Sequence, residues 1–172
     1  MVIPIRNAIT KLAFTANRIG GFIAGICILA TAFIVTYEVI LRAFFDAPTE
    51  WVNEVSVYLI LISAFLGFAP AMAAGKHISV DLVTSKLSAQ TNKFLAVIIS
   101  ILGLGFSLIF VVTSTEMALN SYQLNMLSTS TLRVPLFIPQ SSLPIGFAML
   151  ALQFLANLLN PEIAVREKEG HQ

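Results

Sequence analysis

Four long apolar stretches divide the sequence, and short polar segments separate them. They cover residues 20–44, 52–74, 94–116 and 137–159. An α-helix rises about 1.5 Å per residue, so about 20 residues cross the roughly 30 Å hydrocarbon core of a bilayer. Hydrophobicity is continuous within each stretch, which is typical of a spanning helix and not of a barrel strand. The pattern predicts an all-α membrane protein in which residues 1–172 form a single domain of four transmembrane helices.

Composition supports this prediction and narrows the function. Hydrophobic residues make up 57% of the chain and charged residues 11%, whereas ordinary soluble domains have about 25% charged residues. A net charge of +1 gives no attraction to nucleic acid. The single cysteine, Cys27, excludes an internal disulfide, and neither His77 nor His171 is placed to hold haem. We therefore expect no catalytic residue, no cofactor and no metal.

The distribution of basic residues predicts the orientation in the membrane. Arg42 and Arg133 fall on one side of the predicted spans. The other eight basic residues fall on the opposite side: Arg6, Lys11, Arg18, Lys76, Lys86, Lys93, Arg166 and Lys168. Cytoplasmic loops carry the excess of lysine and arginine. Both termini and the central loop are therefore expected in the cytoplasm. Membrane lipids are expected as direct partners of the four spans.

The segment YEVILRAFFDAPTEWVNE, residues 37–54, concentrates charge between the first two spans. Charged residues occur at every fourth position: Glu38, Arg42, Asp46, Glu50 and Glu54. Glu38 and Arg42 have the spacing of an ion pair, the carboxylates of Glu50 and Glu54 suit the positive end of a helix, and Trp51 suits the headgroup level. Local pairing and capping explain these residues. An acidic surface that binds a partner is the alternative, and it stays open.

Polar and small residues within the spans predict contacts between helices. Small residues recur at every fourth position of the second span: Ser63, Gly67, Ala71 and Gly75. This stripe lets another backbone approach closely, whether that backbone belongs to this chain or to another subunit. Gln153 and Asn157 share one face of the fourth span and need hydrogen-bond partners in lipid, so they are expected to face another helix.

The loop between the second and third spans begins with a short polar motif, Lys76, His77 and Asp81, at the predicted cytoplasmic edge. His77 and Asp81 are four residues apart, and a local surface pair is favoured over a metal site because no further ligand lies nearby. The loop mixes apolar and basic residues, as does the N-terminal segment over residues 3–19. Each could form a short helix on the membrane surface.

The order of these motifs resembles the small membrane subunit of tripartite ATP-independent periplasmic (TRAP) transporters, the DctQ-like family. The motifs are Arg42 near the end of the first span, EWVNE at the start of the second, FLGFAPAMAAGKHISVDL, and LFIPQSSLPIGFAMLALQFL in the fourth. The likeness covers roughly residues 37–87 and 128–155. Asn53 departs from it, because the family often has a second acidic residue beside the position of Glu54.

The resemblance implies two protein partners, a large membrane subunit and a soluble periplasmic binding protein. The binding protein would deliver an organic acid, such as sialic acid or a dicarboxylate, and the large subunit would import it with sodium across the bacterial inner membrane. This chain would be a fixed scaffold. Its partner contacts would then involve the charged segment and the small-residue stripe.

Two other functions are the alternatives to this interpretation. A small multidrug exporter also has four spans and a glutamate in the first span, where this chain has Glu38. A membrane anchor of a respiratory enzyme would need haem or quinone ligands.

Overall fold

The computed structural model describes residues 2–47, 49–74 and 89–159. These residues form five helices: α1 (Val2–Phe45), α2 (Glu50–Ala73), α3 (Ala89–Gln123), α4 (Phe137–Gln140) and α5 (Ser142–Leu159). Four segments are long and apolar enough to cross a membrane, namely Arg6–Phe45, Glu50–Ala73, Phe94–Gln123 and Phe137–Leu159. The prediction of an all-α protein with four spanning helices is therefore confirmed. Gly75, Lys76, His77, Asp81 and the helix expected in their loop lie outside the described residues.

Two helices are longer than the sequence pattern predicts. α1 has 44 residues and a length of about 66 Å, so the N-terminal segment expected as a separate surface helix is continuous with the first span. That prediction is wrong because no proline or glycine interrupts the chain between Arg6 and Arg18, and extending a helix is easier than starting a new one. α3 continues past Glu116 to Gln123.

α5 occupies the centre of the arrangement although it is the shortest of the long helices. It contacts α1, α2 and α3. In addition, α1 packs on α2, whereas α3 packs mainly on α4 and α5. A third of the 18-residue apolar stretch that represents the part of the chain with α5 is buried (33%), against 11% to 17% of the corresponding stretches in the other three spanning segments. The helices therefore form a group of three, α1, α2 and α5, with α3 attached on the far side of α5.

The buried positions of α1 alternate at spacings of four and three residues, as in a coiled coil. They are Ala13, Asn17, Gly20, Ala24 and Cys27. The same spacing appears on α2 at Val52, Ser56, Ser63 and Leu66, and on α5 at Ser142, Gly146, Gln153 and Ala156. A repeat of this kind packs helices at a shallow left-handed angle, and its small members bring the backbones close together.

A ladder of serines forms the buried edge of α3. Ser100, Ser107, Ser114 and Ser121 follow one another every seven residues, and each is at most 5% exposed. The hydroxyls of Ser100 and Ser107 donate to the carbonyls of Ala96 and Gly103, both at 2.7 Å, so no hydroxyl hydrogen is left unpaired in the apolar contact. On the same buried edge of α3, Gly103 lies directly against the ring of Phe154 on α5.

An aromatic cluster joins α2, α3 and α5 around Phe147, which is buried on α5. Its ring centroid lies 5.7 Å from that of Phe65 on α2 and 4.8 Å from that of Phe110 on α3. The neighbouring Gly146 has no room for a side chain, because a Cβ atom there would lie 2.4 Å from the carbonyl oxygen of Phe65. These contacts fix the depth at which α5 sits between α2 and α3.

Candidate functional site

The connection between α1 and α2 is held by a carboxylate from α1. Both oxygens of Glu38 accept from the backbone N–H of Thr49, at 3.1 and 3.2 Å, and Glu38 also accepts from the Thr49 hydroxyl. Thr49 is the N-cap residue of α2 and caps nothing with its own side chain. Glu38 therefore supplies, from another helix, the negative group that the positive end of α2 favours.

The expected ion pair between Glu38 and Arg42 is not formed. Glu38 is half-buried toward α2, whereas Arg42 is exposed and makes no ion pair with any residue of the described chain. The backbone N–H and the hydroxyl of Thr49 donate to the Glu38 carboxylate instead, because the turn holds both donors next to it. Asp46 makes the turn with a φ of 49°, a left-handed conformation that aspartate tolerates better than most residues.

The other two glutamates of this segment bind a second loop. Residues 124–136 join α3 to α4, and an isolated bridge between Leu127 and Pro135 folds them back on themselves. At the tip of this loop, the Ser130 hydroxyl donates to Glu54 and the Thr131 hydroxyl donates to Glu50. Tyr58 donates to Glu54 as well, at 2.6 Å.

We call this group the hairpin cluster, and the end of the molecule that carries it the hairpin end. It consists of Glu38, Thr49, Glu50, Glu54, Tyr58, Ser130 and Thr131. Glu38 and Glu54 have hydrogen-bond donors from other parts of the chain, whereas Asp46 is exposed and unpaired within the described residues. Trp51 is 38% exposed, and its ring centroid lies 6.4 Å from that of Tyr37. The glutamates thus join two connecting loops, and the same end also carries the exposed side chains of Arg42 and Arg133.

The small-residue stripe of α2 lies only partly against this chain. Ser63 is buried and donates to the carbonyl of Ile60 at 3.0 Å. Gly67 is half-buried, and a Cβ there would lie 3.8 Å from that of Ala24 on α1, an ordinary contact. Ala71 is exposed. The first part of the stripe therefore serves packing against α1, and its later part faces away from the described helices.

An amide network occupies the opposite end of the molecule. Asn17 on α1 donates through Nδ2 to Oε1 of Gln153 at 2.6 Å, and Gln153 donates through Nε2 to Oδ1 of Asn157 at 2.9 Å. The expectation that these amides face another helix is confirmed for Gln153, whereas the hydrogen bond of Asn157 is to Gln153 of its own helix. Sequence reasoning missed Asn17, although its place in the four-and-three spacing of small residues on α1 was a usable signal.

Four helices that are long and apolar enough to span a membrane, with hydrogen-bonded loops at one end and an amide contact between α1 and α5 at the other, define a multi-pass membrane protein. The family model described as "Tripartite ATP-independent periplasmic transporters, DctQ component" matches residues 31–162, which is most of the chain. The chain belongs to the DctQ family and is a small subunit of the TRAP transporter type. No curated protein matches the chain. In general the family works with a large membrane subunit and a periplasmic binding protein.

Proposed function

We propose that this chain is the scaffold subunit of a sodium-coupled importer in the bacterial inner membrane. A periplasmic binding protein delivers an organic acid, and the large membrane subunit carries it across together with sodium. The observation that carries this proposal is the family match over residues 31–162, which includes the hairpin cluster and α5.

The polar groups inside the molecule support a scaffold role. The buried polar side chains of the described residues are serine, asparagine and glutamine. Most of them donate to a carbonyl of their own helix or to an amide of a neighbouring helix, as Ser107 and Asn17 do. Ion-coupled transport sites usually use ionisable groups or broken helices within the membrane. These polar groups instead serve helix packing.

We also propose that the hairpin end faces the periplasm, where it meets the binding protein or the outer loops of the large subunit. The uneven distribution of basic residues supports this orientation. The four carboxylates of residues 37–54 outnumber the two arginines at that end, Arg42 and Arg133, and this excess of negative charge suits a partner with a basic surface. A reporter enzyme fused at Gln172 should be active only as a cytoplasmic fusion, and activity of a periplasmic reporter there would reverse the assignment.

Co-purification tests whether the chain assembles with a large subunit. The tagged chain, expressed with the large subunit, should retain it in equal amount after detergent extraction. Ala71→Trp adds bulk to the exposed part of the stripe and should reduce retention if that part is the contact. Ala32→Trp, at an exposed position of α1, is the matched control. A wild-type chain that purifies folded but without the large subunit would contradict the proposal.

A further inference from the structure

The amide network lines a cleft between α1, α2 and α5 at the end opposite the hairpin cluster. The cleft has a volume of about 420 Å³. Its lining includes Asn17, Arg18, Pro70, Gln153 and Asn157. Arg18 is the only charged residue among the lining residues, and the side chains of Phe14 and Arg18 are exposed. We call this space the amide cleft.

One buried polar atom in the lining lacks a partner. Asn17 is 7% exposed, and its Oδ1 atom has no hydrogen-bond donor. An unpaired buried acceptor is costly, so a donor is expected to reach it. A single water takes up about 30 Å³ of liquid volume, so the cleft has room for a much larger group.

The polar groups of the cleft fit a headgroup that has both an anion and a hydroxyl. The Arg18 guanidinium makes no ion pair within the described chain, and the Nδ2 group of Asn157 makes no hydrogen bond there. Both donate, which suits phosphate oxygens. The unpaired acceptor of Asn17 suits a hydroxyl donor. The described residues of the lining include no carboxylate, so none of them would serve as a counterion for an ammonium group next to Arg18.

We propose that the amide cleft binds phosphatidylglycerol. Its phosphate lies at Arg18 and Asn157, its glycerol hydroxyl donates to Asn17, and its acyl chains follow the apolar surface of α1 beside Phe14. The lipid would fill a wedge between three helices and so stabilise their contact at this end. This proposal does not rest on the transport role of the chain, because the cleft is built from residues of this chain alone.

Native mass spectrometry of the delipidated full chain tests the proposal with three added lipids. Phosphatidylglycerol should be retained about tenfold more than phosphatidylethanolamine, and more than phosphatidylmethanol, which has the same single negative charge without a glycerol hydroxyl. Equal retention of phosphatidylglycerol and phosphatidylethanolamine would overturn the proposal, since nonspecific membrane contact gives that result. Equal retention of phosphatidylglycerol and phosphatidylmethanol would overturn it too, since only charge would then be recognised.

Two arginine variants place the lipid. Arg18→Gln should lower phosphatidylglycerol retention about tenfold. Arg42→Gln removes the same charge from an exposed position at the other end of α1 and should leave retention unchanged. Circular dichroism should show equal helicity for both, because both side chains are exposed. An equal loss in the two variants would assign binding to general surface charge and contradict the site.

Discussion

Single hydrogen-bonding residues decide which helix faces meet in this protein. Within apolar helices, Asn17 and Gln153 each find a partner on another element, and the Glu38 carboxylate finds Thr49. The polarity of Gln153 was enough to predict that it faces another helix. It was not enough to predict which helix, because Asn17 lies within residues 3–19, the N-terminal segment that was expected to form a separate surface helix. The prediction for Glu38 was limited in the same way. Its spacing to Arg42 suits an ion pair, but Thr49 donates to the carboxylate instead.

The Asn17–Gln153 contact should be measurable as a coupling free energy. Each single change, Asn17→Leu or Gln153→Leu, leaves a buried amide without its partner and should lower the free energy of unfolding. The double variant should lose less than the sum, with a coupling of about 0.6–1.7 kcal/mol, the range found for hydrogen bonds between membrane helices. Unfolding in detergent measures all three variants.

Asn120→Leu is the control for this cycle because Asn120 is exposed on α3. It should change stability by no more than about 0.5 kcal/mol. Strict additivity of the Asn17 and Gln153 variants would show that the amide contact contributes nothing.

At the level of helices, the sequence predicted the number of elements better than their contact faces. Length and continuous hydrophobicity are properties of one helix in a bilayer, so the spanning segments could be read directly. The serine ladder was not predicted although it repeats every seven residues, because the prediction of helix contacts was based on small residues four apart. Two members of that four-residue stripe differ in the structure, since Ser63 is buried and Ala71 exposed. The buried face of α2 follows the four-and-three spacing instead.

Two glycines test the close contact of α5 with its neighbours. Gly146→Ala places a Cβ atom 2.4 Å from the Phe65 carbonyl, and a backbone atom cannot move aside easily, so α5 must shift. We expect a loss of about 1–3 kcal/mol in the free energy of unfolding. Gly105→Ala, with nothing within 4 Å, should be neutral or stabilise by about 0.5–1 kcal/mol because alanine favours the helix. Equal stability of the two variants would mean that α5 does not pack this closely on α2.

The whole molecule is an open arrangement that leaves large apolar surfaces on α1 and α3. Phe22 and Phe33 on α1 are 70% and 75% exposed, and Phe94 and Leu102 on α3 are each 69% exposed. Lipid or a partner subunit must cover such side chains in a membrane. Sequence periodicity could not predict that α5 lies in the centre, because it does not identify a helix's neighbours. The family match supplies the expected partner, a large membrane subunit.

Two variants at the negative hairpin end distinguish partner recognition from loop stabilisation in a transport assay. Asp46→Asn removes an exposed charge that makes no hydrogen bond within the described residues, and asparagine tolerates the left-handed conformation at this position, whereas Glu54→Lys also removes the contacts with Tyr58 and Ser130. If a partner recognises the negative surface, both variants should reduce uptake per assembled complex, and more strongly at low salt. If the carboxylates only hold the loops, Glu54→Lys alone should have an effect.

Sodium-driven uptake of an organic acid into proteoliposomes tests the scaffold role most directly. Three preparations are compared in the presence of the binding protein: this chain alone, the large subunit alone, and the two together. We expect this chain alone to give no uptake above empty liposomes, and the two subunits together to give sodium-dependent uptake well above that of the large subunit alone. Uptake by this chain alone, or full uptake by the large subunit without it, would contradict the account.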